Sequence, residues 1–83
     1  MKVFYTHKAA KQLENLPRAV QKRIAKKMRF YVSQKDPLKF SEHLTGHEEG
    51  EFRFRIGDYR VVFDVIKNTI YVLKIGKRDK IYE

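Results

Sequence analysis

Three arginines near the middle of the chain have the spacing of a cationic surface on a β-sheet. Arg53 and Arg55 alternate with apolar residues in the string EFRFRI, and alternate side chains of a strand point to opposite faces. Gly57-Asp58 separates this run from a second one, YRVVFDV, and glycine at the first loop position favours a two-residue type II′ hairpin. Such a hairpin pairs residue 55 with residue 60. We therefore expect Arg55 directly opposite Arg60, with Arg53 two residues farther along the same face.

Arginines clustered in this way have the chemistry of a phosphate-binding site. Like charges directly opposite one another destabilise a sheet, so packing gives no reason to place Arg55 beside Arg60. A guanidinium binds phosphate through two parallel hydrogen bonds and stays charged at any working pH. The pair is therefore interpreted as part of a site that holds an anion.

The elements that position these arginines are predicted from the apolar pattern. In chain order they are a strand at 2–5, a helix at 7–15, a second helix from Pro17, and strands at 51–56, 59–66 and 69–76. Thr6 is a good cap for the first helix, and Pro17 suits the first turn of the second. Residues 37–50 are expected to be irregular, with Phe40 and Leu44 tucked under the sheet. The prediction is an α+β fold, a two-layer β-α-α-β-β-β domain over residues 1–83 with a helical pair packed on one face of an antiparallel sheet.

The helical pair must cover one face of the sheet and leave the arginines on the other. The covered face is predicted to carry Phe52, Phe54, Ile56, Tyr59, Val61, Phe63 and Val65. The open face is predicted to carry Glu51, Arg53, Arg55, Arg60, Val62 and Asp64. The alternation of apolar and charged residues therefore separates a core from a charged surface.

The last strand extends this charged surface. A two-residue turn at Lys67-Asn68 would place Arg60 opposite Ile75, so that Lys77 and then Arg78 join the arginines. Lys74 would fall on the apolar face and reach the solvent at its edge, unless the register slips there. The alternative to a phosphate site is a solvated face neutralised by carboxylates, namely Glu51, Asp64 and Asp79. Three acids cannot readily neutralise five close cations, so the pattern favours the phosphate site.

Positive charge is also concentrated in the first part of the chain. The formal net charge is +9, and residues 1–35 hold ten lysines and arginines against the single acid Glu14. Such a surface favours a polyanion, either nucleic acid or an acidic protein, and a merely solvated helix is the alternative. The candidate RNA-binding residues are Lys22, Lys26, Lys27 and Arg29 on the second helix, and Lys77 at the end of the sheet.

The composition excludes several classes of protein. Without cysteine, neither disulfides nor a thiolate metal site can hold the fold together. No apolar run approaches the ~20 residues that span a bilayer, and the start of the chain lacks the apolar stretch of a signal peptide. We therefore expect a soluble cytoplasmic protein. His7, His43 and His47 do not have the spacing of a metal site, and we expect no metal and no other cofactor.

Two strings in the second half of the chain form a distinctive combination: FRFRIGDYRVVFDV and the ending LKIGKRDKIYE. Together with Leu44-Thr45-Gly46 before the sheet and the order of the elements, they resemble the RelE/ParE superfamily of toxins from type II toxin–antitoxin systems. The resemblance covers nearly the whole chain. It implies a compact toxin that a cognate antitoxin neutralises by wrapping around it, so a toxin–antitoxin hetero-oligomer is expected.

The resemblance leaves two activities open. RelE-like members cut messenger RNA in the ribosomal A site without a metal, by attack of a ribose 2′-hydroxyl on the adjacent phosphate, whereas ParE-like members inhibit DNA gyrase. Basic residues on the open face and a basic-x-x-x-Tyr ending are typical of the RelE-like branch, and this chain has both, the ending as Arg78 and Tyr82. We therefore expect a ribosome-dependent mRNA endoribonuclease. A gyrase inhibitor and a non-catalytic RNA-binding translation inhibitor are the alternatives, because fold analogy does not establish function.

The resemblance also implies roles for single residues. Arg60 would stabilise the charge of the phosphorane, and Arg78 would act on the leaving-group side. Tyr82 would stack on a base or orient a phosphate, or else simply pack on the edge of the domain.

The resemblance does not assign a single general base to this expected site. Relatives commonly carry lysine where Arg53 and Arg55 stand, and an arginine with a pKa above ~12 is a poor proton acceptor. Glu51 or Lys77 could take the proton instead. Glu51 is also expected to form a salt bridge with Arg53.

Overall fold

The computed structural model describes residues 1–46 and 49–82. The expectation for His47 concerns a residue outside this part of the chain. The elements are β1 (Lys2–Tyr5), α1 (His7–Glu14), α2 (Arg18–Ser33), a 3₁₀ helix (Pro37–Phe40), β2 (Glu42–His43), β3 (Phe52–Ile56), β4 (Tyr59–Ile66) and β5 (Thr69–Lys77). In the described part of the chain, neither helix is long and apolar enough to cross a membrane.

The predicted α+β fold is confirmed, with two additions to the sheet. In residues 1–46 and 49–82, five strands form one sheet in the order β1-β5-β4-β3-β2, and the two helices pack on one of its faces. The pairs β2–β3, β3–β4 and β4–β5 are antiparallel, whereas the pair β1–β5 is parallel. The parallel pair was not predicted, because alternation indicates a strand but not which distant strand it pairs with. The strand β2 was not predicted, because two residues are too few to show alternation.

The helices form where the sequence provides a cap and an apolar stripe. The Thr6 hydroxyl oxygen accepts a hydrogen bond from the Ala9 N–H at 3.1 Å and so caps α1. Helix α2 buries Ile24, Met28 and Tyr31, which lie three or four residues apart on one face. Tyr31 stacks on Phe54 of β3 with ring centroids 4.1 Å apart, which joins the helical layer to the sheet.

The hairpin of β3 and β4 has the predicted register. Gly57 has a φ of 59°, as the first position of a type II′ turn requires, and residues 56 and 59 pair on either side of it. Arg55 is therefore paired directly with Arg60. Alternation then places Phe54 and Val61 in the core, fully buried, and the arginines on the other face.

The register between β4 and β5 differs from the prediction because β5 contains a bulge. Val72 pairs with Phe63 and Lys74 pairs with Val62, so that Leu73 is the extra residue. Beyond it every partner shifts by one, and Arg60 faces Gly76 and not Ile75. A one-residue shift exchanges the two faces of a strand.

The shift changes the positions of two lysines. Lys74 lies on the open face opposite Val62, whereas Lys77 pairs with Tyr59, whose side chain belongs to the core. The prediction that Lys77 shares the face of the arginines is therefore wrong. The register slip, which was the alternative given for Lys74, is confirmed.

The connection before β3 is more ordered than predicted. The prediction that Phe40 tucks under the sheet is wrong, because its side chain is 43% exposed. It is the last residue of the 3₁₀ helix and packs edge-on against Phe30 on the outer side of α2. Leu44 is half-buried, and its N–H donates a hydrogen bond to the carbonyl oxygen of Glu51 at 2.7 Å.

Candidate active site

A cationic surface covers the end of the sheet nearest the β3–β4 turn, on the face opposite the helices. We call it the arginine face. Its members are Arg53, Arg55, Arg60, Arg78, Lys74, Glu42 and Tyr82. Strand alternation brings Arg53, Arg55 and Arg60 together, whereas the other four residues reach this surface through tertiary structure.

Arg60 lies at the centre of the arginine face and is held in one orientation. Only 5% of its surface is exposed, although it stands on the open side of the sheet. Its Nη1 donates hydrogen bonds to the carbonyl oxygens of Gly57 and Tyr59, both at 2.9 Å. In the described part of the chain, every buried side-chain nitrogen has a partner, so the remaining Arg60 donors reach the surface. These Arg60 donors are therefore available to bind an anion.

The environment of Arg60 is strongly positive. Burial lowers the pKa of Arg60, and the charges of Arg55, Arg53 and Arg78 lower it further. An arginine nevertheless stays protonated in proteins, so this environment raises the free energy of the charged group and does not remove the charge. An anion bound beside Arg60 would relieve the repulsion.

Glu42 belongs to the arginine face, although the sequence prediction did not include it among the site residues. Its Oε1 accepts a hydrogen bond from Arg53 Nε at 2.7 Å, and its Oε2 lies 3.6 Å from Arg55 Nη1. The hydrogen bond from Arg53 lowers the pKa of Glu42, and the nearby charges of Arg53, Arg55 and Arg60 act in the same direction. A carboxylate in contact with two of the arginines is therefore ionised at neutral pH.

The expected salt bridge between Glu51 and Arg53 is not formed; in the described residues Arg53 pairs with Glu42. Glu51 precedes β3, and its backbone N–H donates to Asp64 Oδ1 at 2.8 Å. The signal for Glu42 was weak, because a two-residue strand is too short for alternation to mark it.

Tyr82 reaches the arginine face because the chain turns back after β5. Its hydroxyl oxygen accepts a hydrogen bond from Arg53 Nη1 at 2.9 Å. This bond and the one to Glu42 raise the pKa of Arg53. The buried Ile81 packs over Gly76, where an added Cβ would come within 3.2 Å of Ile81 Cδ1. The glycine thus leaves the space in which the last turn folds over the sheet.

Arg78 stands at the edge of the arginine face. Its backbone N–H donates to the carbonyl oxygen of Asp58 at 2.8 Å, which ties the end of β5 to the β3–β4 turn. Its side chain is exposed, and its charge is one of those that lower the pKa of Arg60. Arg78 can therefore approach a ligand bound at Arg60 from the side.

The charge of the arginine face is not balanced by protein groups. In residues 1–46 and 49–82 its only ion pairs join Glu42 to Arg53 and Arg55. The carboxylates proposed as neutralising partners (Glu51, Asp64 and Asp79) do not pair with these arginines in that part of the chain. Five cations and one carboxylate leave a strongly positive surface, and a phosphate is an anion that matches it.

A second cationic surface lies on the opposite layer of the protein. Its members are Lys22, Lys26, Lys27 and Arg29 of α2, all exposed. Lys27 Nζ lies 5.7 Å from the ring centroid of Phe30 and beside a groove of about 410 Å³ that Lys26 also lines.

The histidines and the carboxylates do not suggest a metal site. In the described ranges, no three side chains of these types gather where they could hold a metal ion. His7 begins α1, and His43 packs edge-on against Phe52 with ring centroids 5.3 Å apart.

Comparison with known proteins assigns the chain to a family. Residues 3–82 match the family described as "ParE toxin of type II toxin-antitoxin system, parDE". This chain belongs to that family. It is therefore a toxin of the RelE/ParE superfamily, as the sequence resemblance implied. No curated protein matches the toxin significantly.

Solved structures of other toxins have the same fold. A RelBE toxin–antitoxin complex from Mycobacterium tuberculosis is 24% identical with a TM-score of 0.78, covering 93% of this toxin and 96% of that chain. An archaeal RelE–RelB complex from Pyrococcus horikoshii is 29% identical with a TM-score of 0.72, covering 95% and 96%. The intact Escherichia coli RelBE complex is 21% identical with a TM-score of 0.70, covering 92% and 94%. The first and third similarities concern the fold alone.

The toxin's predicted site residues thus fall into three groups. The fold brings together Arg53, Arg55, Arg60, Arg78 and Tyr82. It leaves Glu51 and Lys77 outside the arginine face. The lysines of α2 form a separate surface on the other layer.

Proposed function

We propose that this toxin inhibits translation by cutting messenger RNA on the ribosome. The observation that carries the proposal is the state of Arg60, which is buried, oriented by two backbone carbonyls and surrounded by other cations. Donors held rigidly where negative charge develops contribute strongly to catalysis, because they need no reorganisation during the reaction. Cleavage of RNA passes through a phosphorane whose oxygens carry such charge.

The proposed reaction is a transesterification within the RNA strand. The 2′-oxygen of one ribose bonds to the adjacent phosphorus while the bond from phosphorus to the 5′-oxygen breaks. The products are a 2′,3′-cyclic phosphate and a 5′-hydroxyl. The 2′-hydroxyl loses a proton to a base and the leaving oxygen gains one, so the step needs no metal and no redox partner.

Glu42 is the proposed acceptor of the 2′-hydroxyl proton. It is the carboxylate that contacts the arginine face, whereas Glu51 and Lys77 lie outside it. Its lowered pKa keeps it ionised but also makes it a weak base. Much of the acceleration must therefore come from positioning of the substrate, which the ribosome would supply.

Arg60 and Arg78 are proposed to act on opposite sides of the phosphorus. Arg60 would bind the non-bridging oxygens, and Arg78 would donate a hydrogen bond to the leaving 5′-oxygen, which takes its proton from water. Tyr82 would orient the RNA while Arg53 holds its hydroxyl. Arg55, exposed beside Glu42, would keep the carboxylate in place and contact phosphate.

The proposed partners follow from the family and from the charge of the protein. The related structures are complexes of toxin with antitoxin, and we infer a cognate antitoxin for this chain, in a hetero-oligomer. The substrate would be mRNA in the A site, and the site of action the cytoplasm. The α2 surface would contact ribosomal RNA through phosphates without reading sequence.

Inhibition of DNA gyrase is a second candidate function, because the matching family is the one described by the ParE name. The test uses purified ribosomes that translate a defined message. Primer extension should reveal new 5′ ends at A-site codons with the unaltered toxin and none with Arg60→Ala. Intact message together with gyrase-dependent DNA breaks would favour the second function. Intact message with blocked translation would favour a non-catalytic RNA-binding protein.

A further inference from the structure

The bulge in β5 places Lys74 where a regular strand would not. Without the extra residue Leu73, Lys74 would point into the helical layer; with it, Lys74 pairs with Val62 on the open face. Bulges interrupt the ladder of hydrogen bonds and often occur beside functional sites, where they redirect a side chain. The redirected side chain here is a cation.

Packing does not account for a lysine at this position. Its cross-strand partner Val62 is fully buried and apolar, so it offers no charge to pair with. In the described part of the chain, no carboxylate forms an ion pair with Lys74. The apolar stem of Lys74 covers apolar surface, and a methionine side chain would cover that surface equally well.

Lys74 and Arg53 are linked by Tyr82. Lys74 Nζ lies 5.3 Å from the centroid of the Tyr82 ring, and Arg53 Cζ lies 6.0 Å from it. The ring therefore contacts two cations that come from different strands, Arg53 of β3 and Lys74 of β5. Tyr82 is therefore a neighbour of both cations.

The positive surface continues beyond Lys74. A hollow of about 280 Å³ is lined by Lys74, Lys8 and Lys80, with Gly76 and Ile81 beside them. The Gln12 side chain at this hollow is already used, because its Oε1 accepts a hydrogen bond from the Ile75 N–H at 2.8 Å. Lys8 forms a long ion pair with Glu49 at 3.4 Å, and both side chains are largely exposed, so this pair is weak.

We propose that Lys74, together with Lys8 and Lys80, forms a second phosphate subsite for single-stranded RNA, one nucleotide or more beyond the site at Arg60. The proposal rests on the proposed function in taking RNA as the ligand of the arginine face. A strand of regularly spaced phosphates matches two cationic subsites separated by an aromatic ring, on which a base can stack.

The test measures binding without cleavage. Fluorescence anisotropy is recorded with labelled RNA oligonucleotides that carry 2′-O-methyl groups, in a series lengthened by single nucleotides at the 5′ or the 3′ end. The unaltered toxin should gain about tenfold in affinity when one end reaches the second subsite. Lys74→Met keeps the apolar stem and should lose that gain, with a salt slope lower by about 0.7.

Two control variants and one competitor make the result specific. Lys74→Arg retains the charge and should retain the gain, and Lys39→Met removes an exposed lysine of the 3₁₀ helix and should change nothing. Thermal melting checks that all variants are folded. An acidic glutamate-rich peptide should compete poorly; equal or tighter Lys74-dependent binding of this peptide would overturn the assignment to RNA.

Three other outcomes would also overturn the subsite. The first is that Lys74→Met binds every oligonucleotide as tightly as the unaltered toxin at every salt concentration. The second is that Lys74→Met loses the same affinity for the shortest and the longest oligonucleotide. The third is that the unaltered toxin does not bind the longest oligonucleotide. Cleavage on ribosomes is measured separately. Length-dependent binding without any cleavage would support the subsite and reject the proposed function, so the two failures can be told apart.

Discussion

Arg55 and Arg60 are paired directly across β3 and β4, yet Arg55 is exposed and Arg60 is only 5% exposed. The Arg60 guanidinium donates hydrogen bonds to the carbonyl oxygens of Gly57 and Tyr59. The repulsion between the two arginines remains, since Arg55 contributes to the lowered pKa of Arg60. Direct pairing of two like charges does not stabilise the sheet, whereas a bound phosphate would use both residues.

Arg60→Ala should therefore separate stability from activity. The free energy of unfolding should fall by about 1–3 kcal/mol, because the loss of stem packing and of the two hydrogen bonds to backbone carbonyls is partly offset by relief of like-charge repulsion. The chemical step should slow by about 100- to 1,000-fold, as expected for the loss of a preorganised donor. Thermal melting and single-turnover cleavage on ribosomes measure the two effects.

The matched variants for this prediction are Arg60→Lys and Arg18→Ala. Arg60→Lys should recover only part of the activity, because an ammonium cannot form the two parallel bonds of a guanidinium. Arg18, exposed at the start of α2, should be dispensable for cleavage. Early melting of Arg60→Ala together with normal cleavage would identify Arg60 as a structural residue.

Glu42→Gln should reduce cleavage without preventing RNA binding. The variant removes the proposed proton acceptor but leaves Arg53 and Arg55 free for phosphate, so affinity for an uncleavable oligonucleotide should stay the same or increase. Single-turnover rates and anisotropy distinguish these effects. Glu51→Gln is the control, since that side chain lies outside the arginine face, and a cleavage defect in the control alone would reverse the assignment.

The ion pair of Glu42 also predicts a pH dependence of stability. Its pKa is lowered in the folded protein, so its contribution is complete above the unfolded-state pKa near 4.5 and is lost as the pH falls through the folded value. The difference in unfolding free energy between the unaltered toxin and Glu42→Gln should therefore be small and constant at neutral pH and vanish in acid. Urea titrations at neutral pH and near pH 3 test this; a difference that grows in acid would contradict it.

The α2 surface should contribute to ribosome binding through phosphate contacts. Lys22→Gln combined with Lys26→Gln should reduce the slope of log affinity against log salt by about two, because each neutralised lysine removes roughly one unit. Binding to isolated small ribosomal subunits over a range of salt concentrations measures the slope. Lys2→Gln with Lys67→Gln removes the same charge elsewhere and should have less effect, and equal slopes for both double variants would make α2 a solubility feature.

Gly50 and Gly46 should respond differently to alanine. Both have positive φ, 93° and 102°, so both substitutions strain the backbone. An added Cβ at Gly50 would lie 2.5 Å from Val62 Cγ1, whereas one at Gly46 meets nothing within 4 Å. Gly50→Ala should therefore be more destabilising than Gly46→Ala by about 1–3 kcal/mol, measured by urea unfolding. Equal effects would mean that the loop moves away from Val62 at little cost.

The sequence by itself determined the features that depend on neighbouring residues. The Arg55–Arg60 pair followed from strand alternation and a two-residue glycine turn, both of which act over a few residues. The start of α1 followed in the same way from Thr6, whose hydroxyl oxygen caps the helix locally. Helical spacing likewise acts over a few residues, and it places Ile24, Met28 and Tyr31 on one face of α2.

Only the tertiary structure decided the features that depend on distant partners. The bulge at Leu73 leaves the apolar pattern of β5 nearly unchanged, because the choice between two registers depends on packing against β4. Glu42 reaches Arg53 through a strand of two residues, and Tyr82 reaches it because Gly76 leaves room for Ile81. Three arginines of the arginine face come from one hairpin, whereas the carboxylate, the tyrosine and Lys74 are brought to them by contacts that no local pattern encodes.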